Sequence, residues 1–112
     1  MKHSQVASDL LVAKTFIADK ERWTQGCQFR DTFGVPTNAI HAQSYCLIGA
    51  IRQATGEVLD YMLEQNRTRA CISALHRNMR APSVASWNDA RNRTHKQVLA
   101  LLDKTIEHQL KE

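Results

Sequence analysis

The chain contains no apolar run near the ~20 residues that a membrane-spanning helix requires, so no membrane partner is expected. Its opening residues, Met1-Lys2-His3-Ser4, lack the apolar core of a secretion signal. A cytoplasmic protein is the expectation. Cysteine is scarce: Cys27, Cys46 and Cys71 are odd in number and widely spaced. None forms a C-x-x-C pair, which argues against a disulfide framework and a zinc site. Reduced, mostly buried thiols are expected instead. The five histidines show no H-x-x-x-H or H-x-x-E-H spacing, and no glycine precedes a Lys-Ser/Thr pair as in a phosphate-binding loop. No metal and no cofactor are therefore expected. Asn66-Arg67-Thr68 and Asn92-Arg93-Thr94 match the glycosylation pattern, and without a signal both are read as chance.

What is present is one domain's worth of ordinary globular sequence. The 112 residues are 43% hydrophobic and 23% charged. The net charge of +4 is too small to imply nucleic acid by itself. Its distribution is uneven. Residues 65–95 hold Arg67, Arg69, Arg77, Arg80, Arg91 and Arg93 against Asp89 alone, a basic middle on a balanced frame.

Hydrophobic spacing predicts a first helix over residues 4–20, with Val6, Leu10, Ala13 and Ile17 inward and Ser4 as N-cap. The pattern fails over residues 21–37, where an irregular loop or a short hairpin turning near Gly34 is expected. A second, central helix should start after Thr37 or Asn38 and stop at Gly56. Its Ala42, Cys46, Gly49 and Ala50 form a small face open to a close backbone approach. A third helix is expected over residues 57–65 and a fourth over residues 67–80. The last should begin at the capping box Thr94-His95-Lys96-Gln97, with Val98, Leu102, Ile106 and Leu110 buried.

Trp87-Asn88-Asp89-Ala90-Arg91-Asn92-Arg93-Thr94 is the stretch hardest to explain as loop filler. A tryptophan is costly to leave in water and anchors its loop on the core. Gln25, Asp31, Asn88, Asp89 and Arg93 form a candidate polar centre roofed by Trp23 and Trp87. Two readings stay open. In one the centre is a hydrogen-bonded clamp, with Asn88 or Asp89 capping the start of the last helical region and Arg93 tying the loop down. In the other it is a cleft for catalysis or a small ligand, where Asp89 beside Arg93 stays ionised. Cys46 with His41 suggests a thiol nucleophile. Five residues along a helix, however, set two side chains roughly 140° apart. Cys46 is read as packing.

Trp23-Thr24-Gln25-Gly26, then Cys46-Leu47-Ile48-Gly49-Ala50, then Trp87-Asn88-Asp89 with Arg93-Thr94 resemble, in order, the motifs of a small bacterial and phage family of unknown function. Arg30-Asp31 and His41 fit the same pattern, whereas residues 56–84 show no resemblance. The resemblance implies an all-helical domain in which the three motifs meet. It implies no activity and suggests a phage- or mobile-element-related setting.

Arg69, His76, Arg77 and Arg80 line one face of the fourth predicted helix. Such a face can neutralise phosphates or meet an acidic protein surface. No aromatic residues interleave with it, and no helix-turn-helix pattern surrounds it. A merely solvated basic face is the plain alternative. The expectation is a mainly all-α single domain spanning residues 1–112. It is a compact bundle of about five helices with an irregular or short β-hairpin insertion after the first. Its expected role is a small non-catalytic binding or accessory protein that meets nucleic acid or an acidic protein, with self-association compatible. The alternative is a small enzyme or ligand binder using the centre around Trp87, Asn88, Asp89 and Arg93.

Overall fold

The computed structural model describes residues 2–58 and 66–111. Five α-helices occur among them: α1 (Lys2–Ile17), α2 (Leu47–Thr55), α3 (Asn66–His76), α4 (Val84–Asn88) and α5 (His95–Lys111). Two strands of two residues each, β1 (Phe29–Arg30) and β2 (Ser44–Tyr45), pair antiparallel with Phe29 opposite Tyr45. The mainly helical bundle with a small hairpin is thus the observed architecture.

α1 is the centre of the bundle and packs against α2, α3 and α5. Val6, Ala7, Leu10, Ala13 and Ile17 recur at helical spacing and are all buried. Ser4 lies inside α1 rather than capping it, and the helix ends at Ile17. α5 runs back along α1, with the His95 ring bonded to the Ile17 carbonyl and Lys14 paired with Asp103. The α5 capping box is in place: Gln97 N–H donates to Thr94 Oγ1 and Thr94 N–H to Gln97 Oε1. Leu110 is exposed, against expectation. Each four-residue step overshoots a helical turn by about 40°, so three steps from Val98 carry Leu110 roughly 120° off the interface. Thr105 and Gln109 take the buried positions instead.

The insertion after α1 turns near Gly34 as expected, but the strand that pairs with β1 comes from further along the chain. Asp31 Oδ1 accepts the N–H groups of Phe33 and Val35 and folds the turn at Gly34, so Arg30 bridges Pro36. The chain then passes a 3-10 turn (Ala39–His41) before β2 returns to pair with β1. This pairing takes residues 44–45 out of the expected helix. α2 therefore starts at Leu47, and Asn38 caps only the 3-10 turn, by accepting from His41 N–H. Cys46 is the N-cap of α2, with Gly49 N–H donating to its sulfur at 3.4 Å. Gly56 closes α2 at φ 78°.

Of the helix expected over residues 57–65, Glu57 and Val58 are not helical and the rest lies outside the described residues. The Glu57 carboxylate instead caps the start of α3, accepting from Thr68 N–H at 2.7 Å and from Arg67 N–H at 3.4 Å. Burial pushes the Glu57 carboxyl up, but the Thr68 and Arg67 hydrogen bonds and the Arg67 charge outweigh it and hold the group below the ordinary range. The side chain of Arg67 also forms a two-pronged pair with buried Asp9. α3 ends at His76, short of the expected Arg80, and Arg77 to Arg80 form a turn whose Asn78 side chain bonds back to Ala74 O. α4, expected as loop, is opened by Ser83, which shares a capping box with Ser86. It buries Val84 and Trp87 three residues apart.

Candidate functional site: a buried clamp beside a basic hollow

Asn88, the last residue of α4, is 1% exposed and makes all four bonds that a carboxamide can make. Its Oδ1 accepts from Trp23 Nε1 at 2.9 Å and from Leu47 N–H at 3.1 Å. Its Nδ2 donates to Thr24 O at 3.1 Å and to Asp89 Oδ1 at 2.9 Å. One side chain thus joins the loop after α1, the first turn of α2 and the end of α4. Leu47 N–H is a helix N-terminal donor with no partner inside its own helix, so Asn88 meets a need that α2 creates.

The flanking residues reinforce the same junction. Gln25 Nε2 donates to Asn88 O at 2.8 Å and to Ala90 O at 3.0 Å. Gly26 N–H donates to Asp89 Oδ1 at 3.0 Å, with Gly26 at φ 87°, a conformation that other residues rarely adopt. Arg30 holds the loop from outside, through Thr24 Oγ1 at 2.7 Å and Gln25 O at 2.8 Å. Arg93 Nε donates to Trp87 O at 2.8 Å, and its guanidinium lies 3.7 Å from the centre of the Trp87 ring.

The structure brings Trp23, Gln25, Trp87, Asn88, Asp89 and Arg93 together, with Cys46 next to Leu47 at the foot of α2. Asp31 is not among them: its carboxylate is taken up by the Gly34 turn. Asp89 is exposed and bonds Gly26 and Asn88, while Arg93 bonds the Trp87 carbonyl, so the expected Asp89–Arg93 partnership is replaced by two separate ties. Thr24, Gly26 and Arg30 carry as much of the junction as the residues singled out from sequence. Two of them stand inside the Trp23-Thr24-Gln25-Gly26 motif, which was the available signal. Burial pushes the Cys46 thiol up to about 11, against the lowering hydrogen bonds of Gly49 and Ile48. A thiol so held is a helix cap and a poor nucleophile. Gly49 stands where a Cβ would lie 2.2 Å from Gln28 O, so the small face of α2 admits the loop backbone itself. Among the described residues, no three His, Cys, Asp or Glu side chains cluster closely enough to hold a metal.

The basic residues are placed differently from a single helical face. Of the four residues expected on that face, Arg69 and His76 lie in α3, and Arg77 and Arg80 lie in the turn beyond it. Arg67 is neutralised by Asp9. His76 Nε2 contacts Ala81 O at 3.1 Å and ties the α3–α4 connection. Arg77 and Arg80 line a hollow of about 430 Å3 with Asn78, Met79, Trp87 and Lys104.

The three motifs thus meet at Asn88, from the loop after α1, the first turn of α2 and the end of α4. A family of unknown function, DUF6197, matches residues 1–108. The chain belongs to this family. The match runs through residues 56–84, where the short motifs alone show no resemblance. No curated protein and no solved structure matches the chain. No helix among the described residues is long and apolar enough to cross a membrane.

Proposed function

We propose that this chain is a non-catalytic binding module that engages a negatively charged macromolecule through the basic surface at the end of α3. Two features of the clamp favour a structural role for the polar centre. Asn88 has no bonding capacity left for a substrate, and Asp89 and Gln25 bond to the loop across from them. A catalytic centre requires convergent polar groups open to a reacting molecule.

The observation that carries the binding reading is the set of cations around the α3–α4 turn. Arg77, Arg80 and Lys104 line one hollow, and none has an ion-pair partner among the described residues. Unpaired cations of one sign around a concavity attract anions and speed their association at low salt. The test is titration of the protein with duplex DNA, single-stranded DNA and polyglutamate over a range of salt concentrations. Salt-dependent binding of at least one probe, lost in Arg77→Ala/Arg80→Ala, is expected. Absence of binding to all three near physiological salt overturns the reading, as does unchanged binding by the variant.

A further inference from the structure

The basic hollow continues past Lys104. A second hollow of about 300 Å3 shares Asn78, Trp87 and Lys104 with the first and extends along α5 past Arg93, Gln97 and Leu101. Together they make a trough from the α3 turn along one side of α5. Arg77, Arg80, Arg93 and Lys104 are its four cations, and no acidic residue lines either part. Half-buried Met79 lines the trough between them, and buried Trp87 and Leu101 form its floor.

We infer that this trough is a binding site for single-stranded nucleic acid, with phosphates on Arg77, Arg80 and Lys104 and a base against the Arg93 guanidinium stacked on Trp87. The inference rests on the anion-binding reading above and names the ligand. Two of the three cations assigned to phosphates are arginines, whose forked donors match phosphate oxygens in pairs. Bases of single strands stack on aromatic rings and on guanidinium planes, and a basic groove holding such a platform is the general solution for binding them. No aromatic residue interleaves with the arginines in the sequence. The fold instead lays the Arg93 guanidinium over the buried Trp87 ring beside the turn at residues 77–80, and that plane is the face offered to a base. Duplex recognition favours a protruding helix or ribbon that enters a groove. Here the cations line a concavity, which suits a flexible strand.

The experiment is fluorescence anisotropy with labelled oligo(dT) and oligo(rU), an abasic strand of equal length, duplex DNA and polyglutamate. Oligo(dT) or oligo(rU) is expected to bind most tightly, and the abasic strand about tenfold more weakly, for loss of one stacked base. The two oligonucleotides distinguish DNA from RNA. Arg77→Ala/Arg80→Ala/Lys104→Ala should lower the slope of log K against log salt by about 2, since each phosphate contact on a single strand contributes ~0.7. All three side chains are exposed, and circular dichroism checks that the variant is folded; Lys104→Glu alone provides a milder second variant. Preferential binding of duplex or polyglutamate that still depends on Arg77 and Arg80 overturns the inference and leaves the broader reading standing. Strand binding that neither variant changes overturns the trough as the site. Failure of every anionic probe to bind overturns both.

Discussion

Replacing Asn88 by Ala removes four hydrogen bonds at one point, and their surroundings set the cost. Leu47 is fully buried, so its N–H would be left without a partner, at about 1–3 kcal/mol. Trp23 and Thr24 are half-buried and Asp89 is exposed, so water can reach their groups, and each loses at most the net value of a bond, about 0.5–1.5 kcal/mol. Losses at linked groups do not simply add, and a total of about 2–4 kcal/mol is expected. That is a large share of the ~5–15 kcal/mol by which a domain is stable. Asn88→Asp separates hydrogen bonding from packing. It keeps the shape and both acceptor bonds, loses both donors and sets a carboxylate against Asp89 Oδ1, now 2.9 Å from Nδ2. It too should destabilise, whereas Asp89→Ala, at an exposed residue, should cost less than either. Urea unfolding measures all three variants, with an unchanged m-value showing that the transition is the same. A loss below about 0.5 kcal/mol for Asn88→Ala, the range of an ordinary surface substitution, would refute the clamp.

Gly49→Ala should cost about 1–3 kcal/mol in the same assay, despite alanine's better helix propensity, because its Cβ would meet Gln28 O at 2.2 Å. Glu57 has a folded pKa below its ordinary value, so its contribution is present above the unfolded pKa of ~4.3 and lost as pH falls through the folded pKa. Glu57→Gln should therefore be less stable at neutral pH and show a flatter acid limb; parallel curves would contradict this. Burial lifts the Cys46 thiol to about 11 and the Cys71 thiol to about 12. A disulfide reagent at mildly alkaline pH should label half-buried Cys27 first and reach all three thiols only on unfolding.

The legible parts of the fold were those written in local chemistry. The Thr94–Gln97 capping box, the Gly56 stop and the α1 stripe each depend on residues within a turn or two. The start of α2 did not, because helical spacing before Cys46 is overridden when residues 44–45 pair with a strand fourteen or more residues away in the chain. α4 was masked by Pro82, which reads as an ending, although Ser83 and Ser86 carry a capping signal. In the centre, tryptophans flanked by polar residues announced a convergence. Which polar groups met was not written there: Asp31 turned inward on its own loop, and Asn88, one of two expected caps of the last helix, caps α2 instead, while Arg93 ties the loop down at the Trp87 carbonyl as expected. The basic segment looked like one helical face only because α3 was read past His76. Lys104, in a different helix, had no local signal linking it to Arg77 and Arg80.

The central claim is a division of labour: the Trp23–Asn88 junction holds the fold, and the hollow beside it meets the partner. An amide and side-chain NMR titration with oligo(dT) or oligo(rU) tests both halves at once. The account predicts perturbed signals at Arg77, Arg80, the Arg93 side chain and Lys104, with the Trp23 indole N–H and the Asn88 carboxamide unmoved. Shifts centred on Trp23, Gln25 and Asn88, with the basic hollow silent, would contradict it.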